Sequence, residues 1–406
     1  MIMNKQVLPS NGYGLTDCEY DELVERIYGF EEYHYYKDEN HHDDYMFILN
    51  ELDKIHRNVP MIENYRNALL GWYIFFKNSK RNLNPTMCFK ITDSCQLKCK
   101  HCYLQHTERK NCHMSYETFL FLFHKHKELC KKFIHYYAIN DNKRYNISGG
   151  EPTLNKDLPK MIRFLNKNSY RVMLDTNGIH MPDDVLCALK GHSRNRVQIS
   201  IDGLEETHDY IRGKGTFQKS IETIKLLRDN DINVHTNMVV HKDNFKEWNE
   251  LKLFLNSKFP GMYVGNMLYI SQNNEILYPL EKDELSHYFN EIFDTKVERN
   301  DCKNRSYCYV GNSSVTTEDG GLLFCLKMNN GLPITNLIHE SIDVNLYKLK
   351  INTIKTRSVP VYCFNCKLVS SCMGGAVCSQ LKHINKYNIE DRSCKLLNWK
   401  CEMDYE

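Results

Sequence analysis

The chain has 406 residues, enough for two or three domains, and its 53 basic and 51 acidic residues leave a formal net charge of +2. That balance gives no reason to expect a nucleic-acid or an anionic-membrane partner. The longest apolar stretch, Ala68 to Phe76, is far short of a membrane span, and Met1-Ile-Met-Asn-Lys5 is followed by polar residues instead of a signal peptide's apolar core, so a cytoplasmic protein is expected. In a reducing compartment, 17 cysteines point to metal ligands or catalytic thiols and not to a disulfide framework.

Residues 1–84 carry three helix-like apolar stripes: Leu23, Ile27 and Phe30; Ile48, Leu52 and Ile55; Tyr65, Leu69, Tyr73 and Phe76. The acidic, His-rich stretch Lys37 to Asp44 between the first two reads as a solvated loop. This part is expected to be a helical accessory segment. No clear strand pair marks a winged-helix module within it.

Residues 85–280 alternate strand and helix. Strand-like runs are Met87–Ile91, Arg144–Ile147, Arg171–Leu174, Val197–Ile201, Val234–Val240 and Met262–Ile270. Ser115 can cap a helix running to about Phe133, with Phe119, Phe123 and Cys130 on one face. Pro159 lies early in a second helix with Ile162 and Leu165. Pro182 opens a third, with Val185 and Leu189 following. Phe217, Ile221, Ile224 and Leu227 stripe another. Six strand–helix repeats predict a parallel sheet with right-handed crossovers, and six instead of eight predicts a partial barrel, open on one side.

Ile91 to Glu108 reads ITDSCQLKCKHCYLQHTE and follows the first strand. Cys95, Cys99 and Cys102 therefore fall on one loop at the C-terminal edge of the sheet, where α/β proteins place their chemistry. Three thiolates so spaced can hold three irons of a cubane cluster and leave the fourth open. The spacing alone also admits a zinc knuckle, with His101 or Cys112 as a fourth ligand.

The residues that follow decide between these. Gly149-Gly150-Glu151-Pro152 closes the second strand, Asp175-Thr176-Asn177-Gly178 the third, and Ser200-Ile201-Asp202-Gly203 the fourth. With the C-x3-C-x2-C loop, this ordered set resembles the radical S-adenosylmethionine (radical SAM) enzymes. The resemblance implies a partial (βα)6 barrel and a [4Fe–4S] cluster on Cys95, Cys99 and Cys102 whose open iron binds the amino and carboxylate groups of S-adenosylmethionine. It further implies that Gly149, Gly150 and Glu151 serve the cofactor's ammonium. Two small glycines also admit close backbone approach. Asn177-Gly178 would turn beneath the ligand. Strand alternation sends Ser200 and Asp202 to the lumen, towards ribose or carboxylate. Arg212, in Asp209-Tyr-Ile-Arg-Gly213, could grip the methionyl carboxylate or join a surface ion pair. His235 and Asn237 share one strand face and are expected to face the lumen.

Residues 281–406 add a second pattern: Cys302, Cys308, Cys325, Cys363, Cys366, Cys372, Cys378 and Cys394. It resembles the SPASM extension of radical SAM maturases, and eight thiolates suit two fully ligated auxiliary clusters. By the resemblance, Cys302, Cys308, Cys325 and Cys378 would hold one cluster, and Cys363, Cys366, Cys372 and Cys394 the other. Met373 to Val377 separates Cys372 from Cys378 by more residues than that family uses, so Cys378 departs from the pattern. Of the remaining cysteines, Cys88, Cys130 and Cys187 lie in apolar patterns and are expected in the core. Cys18, Cys112 and Cys401 are assigned no chemistry.

The implied function is an enzyme that makes a 5′-deoxyadenosyl radical to modify a ribosomally synthesised peptide, by a thioether or other cross-link. An electron donor such as flavodoxin or ferredoxin would be its partner. Anaerobic sulfatase maturation is the first alternative. Leu326 and Lys327 follow Cys325, where that family places an aspartate base, which counts against it. Peptide epimerisation and a non-catalytic metal-stabilised binding module are the others.

Overall fold

The computed structural model describes residues 86–102, 104, 111–132, 144–269, 277–288, 291, 313–325, 333–346 and 348–349. The expectations for residues 1–84, and for Cys302, Cys308, Cys363, Cys366, Cys372, Cys378 and Cys394, lie outside them.

Six parallel strands form the frame: β1 (Thr86–Lys90), β2 (Arg144–Ser148), β3 (Arg171–Thr176), β4 (Arg196–Ser200), β5 (Asn233–Val240) and β6 (Tyr263–Leu268). They lie side by side in the order β6-β5-β4-β3-β2-β1. Between them run helices α1 (Tyr116–Lys132), α2 (Leu158–Lys167), α3 (Asp183–Leu189), α4 (Glu205–Arg212), α5 (Thr216–Asp229) and α6 (Trp248–Lys258). A seventh helix, α7 (Lys282–His287), follows β6. This is the open, mostly parallel α/β sheet that the strand–helix alternation predicts. Among the described residues, no helix is long and apolar enough to cross a membrane.

The sheet is wider than six strands. β7 (Ser313–Thr316) pairs parallel with β1, and β8 (Gly321–Leu323) and β9 (Thr335–Asn336) extend it antiparallel. β1, which carries the cysteine loop, is therefore an interior strand.

Alternation along each strand separates two faces. Phe89, Tyr145, Ile147, Val172, Leu174, Val197, Ile199, Val234, Met238 and Val240 are buried beneath the helices. Rings dominate at β1 and β2. Phe119 meets Phe89 edge-on at 4.9 Å, and Phe123 meets Phe164 at 5.2 Å and Tyr145 at 5.3 Å, which docks α1 and α2 on the sheet. The opposite face carries Cys88, Asn146, Asp175, Gln198, Ser200, His235 and Asn237, all partly buried. His235 and Asn237 thus lie where the alternation put them. Cys88 does not: it shares a face with Lys90, opposite Phe89 and Ile91, and is not in the helix-covered core. Cys187, also expected in the core, is exposed on α3.

Polar side chains fix the layers. Asn195 accepts from Val172 N (2.7 Å) and donates to Leu189 O (2.8 Å), tying the end of α3 to β3. The buried His126 of α1 is paired with Ser314 of β7. Burial lowers its pKa to about 4, so it is neutral at pH 7.

Leu174, fully buried on a central strand, gives a direct test of this packing. Leu174→Ala should cost about 2–5 kcal/mol, read as a fall in the urea unfolding midpoint at unchanged slope.

Candidate functional site

Because β1 to β5 run in one direction, their exits share one edge of the sheet. The exit of β1 is the cysteine loop. It is closed at its root: Asp93 Oδ1 accepts from Cys112 N (2.7 Å), Thr92 Oγ1 donates to Cys112 O (2.8 Å), and Met114 N donates to Ile91 O (2.8 Å). Asn155 adds a clamp, its amide donating to Ile91 O (3.0 Å) and Met114 O (2.9 Å). The backbone N–H of Cys102 returns to Cys99 O at 3.0 Å, a turn that gathers the later two thiols. Cys99 is buried; Cys95 and Cys102 are partly so.

The exit of β2 lies directly on this loop. Gly150 N donates to Thr92 O (2.9 Å) and Glu151 N to Ser94 O (2.7 Å). A Cβ on Gly150 would stand 2.3 Å from Ser94 O, and one on Gly149 2.5 Å from Thr92 O. The close approach that these glycines permit in this structure is thus to the chain's own backbone. Glu151 is fully buried, and its carboxylate accepts from Thr153 N (3.1 Å), Thr153 Oγ1 (2.7 Å), Thr176 Oγ1 (2.7 Å) and Asn177 N (2.8 Å). Burial raises its pKa, and these four donors pull against that rise. Glu151 therefore locks the exit of β3 to the exit of β2.

Asn177 carries that lock to the cysteines: its amide donates to Cys95 Sγ at 3.8 Å, and Leu97 N reaches the same sulfur at 3.4 Å. Its own carbonyl accepts from Ser220 of α5 at 3.0 Å. Gly178 makes the turn at φ +73°.

At the exit of β4, Ser200 is partly buried and pairs in register with Asn237. Asp202 is buried and heavily engaged. Its carboxylate takes Arg212 Nε at 2.5 Å and Val239 N at 2.9 Å, and lies 3.3 Å from His101 Nε2. Burial pushes its pKa up, but Arg212, His101 and His208 more than offset this and hold it far below the usual carboxylate range. Arg212 ends α4, buried and ion-paired to Asp202, with Nη1 4.0 Å from Cys99 Sγ and Nη2 3.3 Å from His101 Nε2. It is not a surface ion pair. Lys100 N donates to Ile211 O (2.9 Å), so α4 and the cysteine loop meet at backbone level as well. Burial raises the Cys99 thiol to about 11, with Arg212 opposing.

The structure thus brings Cys95, Cys99, Cys102, Gly149, Gly150, Glu151, Asn177, Asp202 and Arg212 into one hydrogen-bonded array, with Ser200 on the lumen face below. Asn155 and Ser220 escaped the sequence reading, and Thr176 and, in the lumen, Asp175 stood in a quoted strand end without a role. Polarity in otherwise apolar strands was the available signal for Thr176 and Asp175. Cys325 is partly buried at the end of β8 and near enough to Cys88 to raise its pKa, after burial and Asp175.

Against known proteins, residues 89–255 match the model of the Radical SAM superfamily. These residues are a radical SAM domain. Among curated relatives, Fe-coproporphyrin III synthase of Methanosarcina barkeri is 26% identical over 48% of this chain and 47% of its own. The sporulation killing factor maturation protein SkfB of Bacillus subtilis is 27% identical over 46% of this chain and 44% of its own. The chain therefore spans about half the length of the curated relatives it matches. Among solved structures, Streptococcus suis SuiB bound to S-adenosylmethionine superposes with a TM-score of 0.60 at 17% identity, covering 86% of this chain and 87% of that one. SuiB has also been solved bound to its precursor peptide SuiA. These likenesses establish the fold.

The class implies a [4Fe–4S] cluster, and the donor set fits one. Among the described residues, no three His, Cys, Asp or Glu side chains are disposed to share one metal ion. A cubane asks for something else, one thiolate per iron with N–H donors around the sulfurs. Cys95 has Leu97 N and the Asn177 amide; Cys99 has Arg212.

Two outcomes are expected. Gly150→Ala pushes a methyl into the Ser94 carbonyl and should displace the loop, read as iron retained after reconstitution falling at least several-fold while α-helical circular dichroism is kept. Asp175 is driven by burial from the usual 3.8 to about 7, with Arg144 opposing. Between about pH 4 and pH 7 the folded chain keeps a proton that the unfolded chain has released, so stability falls as pH rises through that window. Asp175→Asn should flatten the slope of urea midpoint against pH and be the more stable form at pH 8.

Proposed function

We propose that this chain is a radical SAM enzyme that modifies a ribosomally synthesised peptide by a thioether or other cross-link. The observation that carries the radical reading is the single array at the strand exits. One loop bears three thiols; the Gly149-Gly150-Glu151 turn holds its backbone, Asn177 meets Cys95 and Arg212 meets Cys99. The peptide half is supported by what resembles this chain: a sporulation killing factor maturation protein, and a fold neighbour solved with its precursor peptide.

In this reading Cys95, Cys99 and Cys102 would hold the cluster and S-adenosylmethionine would bind to it. Together they would supply the radical chemistry, abstraction of a hydrogen atom from the substrate by a 5′-deoxyadenosyl radical. Everything else falls to the chain. The Gly149-Gly150 turn presents main-chain groups to the cofactor's ammonium, and Glu151 fixes that turn from below. Ser200 and the outer edge of Arg212 take the carboxylate and ribose side, with Asp202 holding Arg212. The open parallel sheet leaves a side for an extended peptide to enter. Cys302, Cys308, Cys325, Cys378 and Cys363, Cys366, Cys372, Cys394 would hold two auxiliary clusters, with a small flavodoxin or ferredoxin as electron donor.

Anaerobic reconstitution with iron and sulfide, followed by dithionite and S-adenosylmethionine, tests this. About twelve irons per chain, as three cubanes carry, and 5′-deoxyadenosine lost in Cys99→Ala are expected. About four irons would remove the auxiliary clusters and the maturase reading with them. Zinc in place of iron, with no cleavage, would overturn the enzyme assignment. Adding small Cys-containing peptides encoded beside the gene should give a product lacking two hydrogens. Turnover of an iron porphyrin instead would move the substrate to the class named by the Methanosarcina relative.

A further inference from the structure

The contact of Arg212 with Cys99 has a redox meaning. We propose that Arg212, locked in place by Asp202, sets the reduction potential of the cluster held by Cys95, Cys99 and Cys102. The inference rests on the radical reading above and concerns a positioning residue.

Reduction adds one negative charge to a cluster whose sulfurs already carry negative charge. A guanidinium 4.0 Å from Cys99 Sγ stabilises the reduced form more than the oxidised one. An N–H pointed at a cluster sulfur acts in the same direction, and both raise the potential. Burial makes the effect count: Arg212 and Cys99 are each only 8% exposed, so water and salt screen little.

The guanidinium is not free to drift. Nε is held by Asp202 Oδ2 at 2.5 Å, and Asp202 is itself fixed by Val239 N at 2.9 Å and, through its carbonyl, by the Asn244 amide at 2.8 Å. His101, inside the cysteine loop, closes the ring at 3.3 Å from both Arg212 and Asp202. Serving a carboxylate at Nε and a sulfur at Nη1 together needs the planar fork, which lysine lacks.

The test is a redox titration of the reconstituted full-length chain by electron paramagnetic resonance, without S-adenosylmethionine. Any grip of Arg212 on the methionyl carboxylate then drops out. The relevant signal is the one absent from Cys99→Ala. In Arg212→Gln the reduced-to-oxidised ratio at fixed applied potential should fall at least tenfold, about 59 mV for one electron. Arg212→Lys, keeping the charge but losing the fork, should fall between. Identical titrations of wild type and Arg212→Gln at equal iron would overturn the inference alone. If Arg212→Gln retains no iron, Arg212→Lys decides: a shift to lower potential supports the role, and coincidence with wild type refutes it. A wild type that holds no cluster overturns the radical reading and this inference together.

Discussion

Parallel pairing is the constraint on which everything else depends. Strands that run the same way deliver every exit to one edge, and short exits cannot avoid touching. In this chain they touch through main chain: the β2 exit is hydrogen-bonded to residues 92 and 94 of the β1 exit with no side chain between. The geometry of the thiols is thus inherited from the register of the sheet, and a small slip of β1 against β2 would carry the whole loop with it.

Charge is arranged around that edge in an orderly way. Two carboxylates are taken out of water, and each is met by several donors, as burial demands. Glu151 binds hydroxyls and amides and ties loops together without a cation. Asp202 binds a guanidinium, and so couples the end of α4 to the cysteine loop. Asp175, deeper on the lumen face, is treated differently. Among the described residues its Oδ1 is buried with no hydrogen-bond partner, and burial raises its affinity for a proton. The site thus grades from ionised, paired carboxylate at the rim to a carboxyl near neutrality below.

Much of this was legible before any coordinates. The strand-like runs located β1 to β6 to within a residue or two, because most of them pair an apolar face with a polar one. The Cys95, Gly149-Gly150 and Asn177-Gly178 segments were legible as strand exits. Three things were not. β7, β8 and β9 are too short to show a period, and they lie in a stretch whose cysteines dominate the reading. Helix α4, Glu-Glu-Thr-His-Asp-Tyr-Ile-Arg, buries only His208, Ile211 and Arg212, so it has no stripe to detect. Cys88 was misplaced because Thr-Met-Cys-Phe-Lys looks apolar as a run, and only its phase relative to Phe89 assigns it to the lumen. The partners of Arg212 were hidden for a different reason: Cys99 and Asp202 are brought to it by topology, which no local pattern encodes.

The position of β7 has a consequence for the chain's biogenesis. β1 receives its second neighbour only when synthesis has reached Ser313, more than two hundred residues after Thr86 has emerged. Until then its outer edge is a row of unmet amides and carbonyls, open to any passing strand. Such long-range closure is slow, since the intervening chain must be ordered before the pairing repays it. The strand that roots the cysteine loop is therefore among the last to be completed. Metal delivered to a nascent chain would meet thiols whose scaffold is still half built.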